Sequence, residues 1–165
     1  MTIAPDQAHF LTQFLIADFE RETATTVRVL SHVPAGQETY APDPKSMHAL
    51  RLAWHIASAD VWFLNNIAAG AFAPGGGEIP EAIKSGADVV AWYETNAPEA
   101  IARVRALTPE QCAKVIDFRG VMEQPAVVFI QLALKHSIHH RGQLSAYLRP
   151  MGAKVPGIYG PSGDA

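Results

Sequence analysis

Apolar residues recur at three- and four-residue intervals in four long stretches of the chain, the spacing that draws one apolar stripe along a helix. The first stretch runs from Asp6, a candidate N-cap, to about His32, with Phe10, Leu11, Phe14, Leu15 and Phe19 expected to face the core. Pro34, Gly36, Pro42 and Pro44 then exclude helix. The second stretch begins near Ser46, whose hydroxyl can cap free N–H groups, and ends near Gly70. Its stripe is Leu52, His55, Ala59, Trp62 and Asn66, with Ile56 and Phe63 beside it. PGGGEIP (74–80) interrupts the pattern. A third helix is expected from near Ser85, which has capping-box-like spacing to Asp88, to about Ala106, kinked at Pro98.

Thr108, Pro109 and Gln111 have the cap, first-turn proline and return partner of a short helix. Val115 to Phe118 reads as extended, closed by Arg119-Gly120, and Pro125 opens the last long helix, which Pro150 and Gly152 stop near Arg149. The tail VPGIYGPSGDA is expected to be irregular. The pattern therefore predicts an all-α protein: a four-helix bundle with a short additional helix and an irregular C-terminal tail, in one domain over residues 1–165. An antiparallel order is the simplest, although the long connection from Gly70 to Ser85 leaves a crossover open.

Composition narrows the function classes. At 165 residues, 48% hydrophobic and 18% charged, the chain can bury about two-thirds of its unfolded surface. A net charge of −3 and scattered Lys and Arg argue against a nucleic-acid partner. The longest apolar stretch, Pro125 to Leu134, falls far short of the roughly 20 residues that cross a bilayer, so no membrane role is expected. No signal-peptide pattern opens the chain, and Cys112 is its one cysteine, which fits the reducing cytoplasm.

Seven histidines remain to be explained. His136 and His140 are four residues apart, so they project from one helix face about 6 Å apart along the axis. They lie on the stripe Phe129, Ala133, His136, His140, Leu144 and Tyr147, where an unpaired imidazole costs about 1–3 kcal/mol. A shared cation would satisfy both, and so would ordinary hydrogen bonds. His55 holds the same kind of position on the second helix. Three imidazoles would leave further coordination positions open, as catalytic rather than closed structural sites do. His139, around the helix from both, leaves two roles open: a hydrogen-bonding neighbour or a competing ligand. His48 is about 10 Å along the axis from His55, too far to share its ion. His9 and His32 read as surface residues near helix ends. Such a donor set suits zinc and nickel foremost, with iron, copper and manganese admissible.

The run LKHSIHHRGQLSAYLRPMG (134–152), together with LAWHIASADVWFL (52–64), resembles the DinB superfamily of small bacterial helical proteins. PKS before the second helix, AWYE (91–94), DFRG (117–120) and VPGIYGPSG extend the resemblance over nearly the whole chain. It implies a four-helix core, a homodimer, and one divalent metal held by His55, His136 and His140. Relatives of known activity are transferases and isomerases that use low-molecular-weight thiols. The resemblance maps no thiol-binding residue onto this chain.

The leading expectation is a metal-dependent thiol S-transferase acting on a small-molecule substrate with such a thiol. A non-catalytic metal- or ligand-binding protein of a stress response is the alternative. A metal-assisted hydrolase ranks third, because Ser137 follows His136 where an HExxH helix has its Glu. Cys112 lies far in sequence from every candidate ligand and is expected to be a small core residue. A surplus of aromatic surface at Trp54, Trp62, Phe72 and Trp92 adds to the case for a homodimer.

Overall fold

The computed structural model describes residues 2–75 and 77–164. Met1, Gly76 and Ala165, and with them the ends of the expected domain and part of the 74–80 break, lie outside the described residues. The protein is mostly helical. Its elements are α1 (Pro5–Leu30), α2 (Ala49–Ala69), α3 (Gly86–Arg105), α4 (Pro109–Ala113), β1 (Val115–Asp117), β2 (Glu123–Pro125) and α5 (Ala126–Leu148).

Local chemistry accounts for most of these boundaries. Ser85 and Asp88 satisfy each other's backbone N–H groups in a complete capping box at the start of α3, and Thr108 and Gln111 do the same for α4. Gly70, at φ 68°, ends α2 in the left-handed conformation that a side chain would resist. Two expected caps are displaced. Asp6 sits inside the first turn of α1, where its charge complements the helix dipole, and Ala4 holds the cap position without a side-chain bond. At α2 the cap is His48, whose ring accepts the Arg51 N–H, while Ser46 lies in the turn before it. α3 continues through Pro98 rather than ending there.

The extended stretch at Val115 has a partner that periodicity did not reveal. β1 and β2 pair antiparallel in the register Val115↔Pro125, Ile116↔Gln124 and Asp117↔Glu123, so the chain is not purely helical. Phe118–Val121 forms the turn, closed by the Val121 N–H on the Phe118 carbonyl, with Arg119 at φ 55° and Gly120 at φ 75°. Positive φ at both central positions defines a type I′ turn, which favours Asn-Gly. Arg119 holds the left-handed conformation at a cost of about 1–3 kcal/mol.

The helices pack in a ring: α2 against α3 and α5, and α1 against α3 and α5, with α4 also on α1. Among the described residues, the successive helices α1 and α2 are therefore not principal neighbours. The chain between them, residues 31–48, carries it across the end of the molecule. The long 70–85 connection, where a crossover was left open, joins two helices that pack directly together.

The α1 stripe is corrected. Its buried face is Ala8, Thr12, Ile16, Phe19, Thr26 and Leu30, whereas Phe10 and Phe14 are 71% and 62% exposed and Leu11 is also exposed. The bulky Phe10 and Phe14 dominate the periodicity, but Ala8, Thr12 and Ile16 fill the first half of the buried face, while Phe19 is buried as expected. The expected aromatic surplus is corrected too: Trp54 is buried, and Trp62, Phe72 and Trp92 pack against the core.

Arg141 of α5 is almost completely buried, and it pairs with Glu22 of α1. Its guanidinium also donates to the Glu22 carbonyl, Thr26 Oγ1 and Tyr159 Oη, while Tyr159 donates to Glu22. Asp164 accepts from Arg149 and the Val155 N–H, so the irregular tail is tied at two points. Removing one partner of a buried pair leaves an uncompensated charge. Glu22→Ala should therefore lower unfolding stability by about 3 kcal/mol, read as a fall in the urea midpoint. Glu20→Ala, which breaks the exposed pair with Arg105, should cost under about 1 kcal/mol. Equal losses in the two variants would contradict this.

Candidate metal centre

α2 brings His55 against the face of α5 that carries His136 and His140. Each imidazole is half-buried, and one nitrogen from each lies within 4.8 Å of the others. The ring centroids are 4.5–4.8 Å apart. The Nε2 atoms of His55 and His136 face each other at 3.1 Å. His140 directs Nδ1 at Gln143 Oε1, 3.0 Å away, which leaves Nε2 as its free lone pair. Gln143 is a positioning partner that the sequence analysis did not find, although its spacing of three from His140 is the helical signal for it.

Electrostatics disfavours the protonated forms of His55 and His136. Burial, and then the charges that His140, His55 and His139 would carry, lower the His136 pKa to about 4. Burial, His140 and Arg51 lower that of His55. His55 and His136 thus resist protons, and the three rings bring one nitrogen each to a common point. Tetrahedral coordination at about 2.0–2.1 Å would space the nitrogens about 3.4 Å apart, within the spread seen here. The donor set fits a borderline divalent ion. His136 Nδ1 is buried without a partner among the described residues.

The remaining histidines stay outside this group. His139 is exposed, with its ring 4.8 Å from that of His140. His48 caps α2, His9 lies 3.3 Å from Gln13 Nε2, and His32 lies 2.7 Å from the Arg28 carbonyl. Cys112 is buried, and burial pushes its thiol pKa up, as suits a core residue.

Directly behind His136 lies a knot of buried polar groups. Asp60 of α2 is fully buried and accepts from Tyr93 Oη of α3 at 2.6 Å and Ser137 Oγ of α5 at 2.9 Å. Burial raises its pKa to about 7 against the opposing hydrogen bonds and the Arg141 charge.

In front, a cleft of about 330 Å³ opens beside the histidines, walled by His55, His136, Trp62, Phe63, Phe118 and Arg119. Phe118 reaches it from the β hairpin and packs on Phe63, Phe72 and Phe129. The loop after α2 closes another side. Asn66 Oδ1 accepts the Ala73 N–H and Trp54 Nε1 donates to the Glu78 carbonyl. Gly75 lies so close to the Trp62 indole that a Cβ there would sit 1.9 Å from Nε1. None of these loop and hairpin contributions carries a sequence period. Among the described residues, no carboxylate lines the cleft.

The fold and the site together define a mostly helical protein with a three-histidine group able to hold one metal ion beside an aromatic cleft. Residues 9–164 match the DinB family. The chain belongs to that family. It is 28% identical to YjoA of Bacillus subtilis (strain 168) over 140 residues, covering 84% of this chain and 89% of YjoA. A shorter match, 40% over 47 residues and 28% of each chain, is to YrdA of the same organism. The crystal structure of the DinB-like YjoA superposes with a TM-score of 0.73 at 26% identity, covering 89% of this chain and 98% of that one. A DinB-like protein from Bacillus cereus ATCC 10987 shares the fold at the same TM-score and 22% identity, over 88% of this chain and 95% of that one.

The raised pKa of Asp60 has a measurable sign. The unfolded carboxyl ionises near 3.8 and the folded one near 7, so this contribution to stability is complete below pH 4 and lost as pH rises through 7. In metal-free protein, Asp60→Asn should lose less stability than wild type between pH 5 and 8, read from urea midpoints. His136 contributes the opposite slope, stability lost as pH falls from 6.5 towards 4, in both proteins, so it cancels in the difference. Parallel profiles would remove the assignment.

Proposed function

We propose that this DinB-family protein binds one divalent metal through His55, His136 and His140, and that it is a thiol S-transferase acting with a low-molecular-weight thiol. The carrying observation is the group of three converging imidazoles beside an open cleft. Zinc or nickel is the preferred ion, with iron, copper and manganese admissible. A bound ion would supply Lewis acidity that lowers the pKa of a coordinated thiol.

The residues of the chain do the rest. Gln143 holds the His140 ring in one tautomer. Trp62, Phe63 and Phe118 offer an apolar surface for the electrophile and keep bulk water from the nucleophile. Among the described residues no thiol of the chain lines the cleft, since Cys112 is buried with its thiol pKa raised. The third reading, a hydrolase, finds no carboxylate on the described cleft walls to act as base.

The finer fold reading, a four-helix bundle with α4 and the hairpin as additions, is supported by the ring of contacts among the long helices. A homodimer is part of the proposal and is supported by Phe10, Leu11 and Phe14, exposed together on α1. No helix of the described residues is long and apolar enough to cross a membrane. A cytoplasmic location belongs to the same proposal, and a stress-response role to its non-catalytic alternative.

Metal-free protein should gain thermal stability when zinc or nickel is added, about 2.7 kcal/mol at a hundredfold excess over the dissociation constant. His136→Ala should lose that gain. With a panel of low-molecular-weight thiols and monochlorobimane, turnover should require both metal and thiol. A metal-dependent shift without turnover would assign the protein to the non-catalytic, ligand-binding alternative. In light scattering after size exclusion the wild type should run as a dimer and Phe14→Glu as a monomer; a monomeric wild type would sink the dimer.

A further inference from the structure

We infer that the cleft beside the histidines is built for a small apolar molecule carrying an anionic group, which Arg51 and Arg119 recognise. This deepens the reading above and rests on it for the cleft being the ligand site. It does not need the metal to be bound.

The arginines divide cleanly. Arg21, Arg28, Arg103, Arg105, Arg141 and Arg149 each donate from the side chain to an oxygen of the protein. Among the described residues, Arg51 and Arg119 are the two whose guanidinium groups have no such partner and no ion pair; Arg119 lies on the wall of this cleft and Arg51 against its edge residue Gly77. Arg119 lines it from the hairpin turn. Arg51 is one turn before His55 on α2, and a Cβ on the cleft residue Gly77 would lie 3.5 Å from its Nη2. No acidic side chain lines the cleft among the described residues, so the Arg119 charge on its wall is uncompensated there and the Arg51 charge lies at its edge.

A second, independent observation concerns the backbone. Arg119 occupies the first central position of a type I′ turn at φ 55°, where Asn would be at ease. Among the described residues its side chain makes no hydrogen bond or ion pair that repays this strain within the fold. Strain kept without a structural return is the pattern of a residue retained for a ligand.

The remaining walls set the apolar half of the ligand. Trp62, Phe63 and Phe118 surround a volume of about 330 Å³, enough for one aromatic ring and a short substituent. A planar guanidinium recognises carboxylate and phosphate oxygens by paired, charge-assisted hydrogen bonds. The simplest ligand consistent with these walls is an arylalkyl carboxylate.

The test uses full-length protein kept metal-free with EDTA, so that no carboxylate can bind through an ion. Phenylacetate and its neutral counterpart phenylacetamide are titrated while the Trp62 indole N–H is followed by NMR. Phenylacetate should bind at least about tenfold more tightly, the gain expected of a charge-assisted contact. Arg51→Gln with Arg119→Asn should abolish the preference while retaining zinc-induced stabilisation. Arg119→Asn alone should raise the melting temperature by about 2–4 °C, because it relieves the turn. Equal binding of the two probes, or a preference that survives the double substitution, would overturn the proposal. So would a lower melting temperature for Arg119→Asn, which would give the arginine a structural role. Anion preference without zinc stabilisation would support this inference and sink the metal-dependent function alone.

Discussion

A carboxyl group removed from water must find donors, and Asp60 finds them on two other helices. Tyr93 reaches it from α3 and Ser137 from α5, so the rotation of three helices about their axes is fixed by one group. Ser137 follows His136, and Asp60 lies on the same helix as His55. A rotation of α5 by one residue, about 100°, would strand the carboxyl and withdraw both α5 histidines from His55. The polar knot and the imidazole group are thus set by the same helix phase, one behind the other.

Helix phase was legible in the sequence wherever a side chain on one element determines the answer. The spacing of His136 and His140, the capping pairs Ser85–Asp88 and Thr108–Gln111, and the core positions Phe129, Ala133, Leu144 and Tyr147 all stand as expected. The membership of His55 in the group also follows from phase, once two helices face each other. The failures share a different cause. Phe10 and Phe14 make α1 look apolar on the wrong side, because periodicity weighs bulk and not the room left between helices. His48, rather than Ser46, caps α2 because the preceding loop decides where the first turn closes.

The parts of the site that sequence could not disclose come from long-range closure. Phe118 enters the cleft only because β1 finds β2 across a tight turn, and Gly75 meets Trp62 only because Asn66 and Trp54 hold the loop. Neither association has a period or a motif. The Asp60 contacts join residues 33 and 77 positions apart, beyond any local pattern. The three histidines that the fold brings together were therefore readable from the sequence, whereas the walls of the cleft beside them were not.

The burial of Cys112 sets the reactivity of the chain towards electrophiles. A surface thiol is the first group that a soft electrophile alkylates. Here the one sulfhydryl of the chain sits on α4, enclosed against α1 with its pKa raised, so little of it is thiolate. Among the described residues no thiol lines the cleft, so an electrophile there meets imidazoles and aromatic rings rather than sulfur.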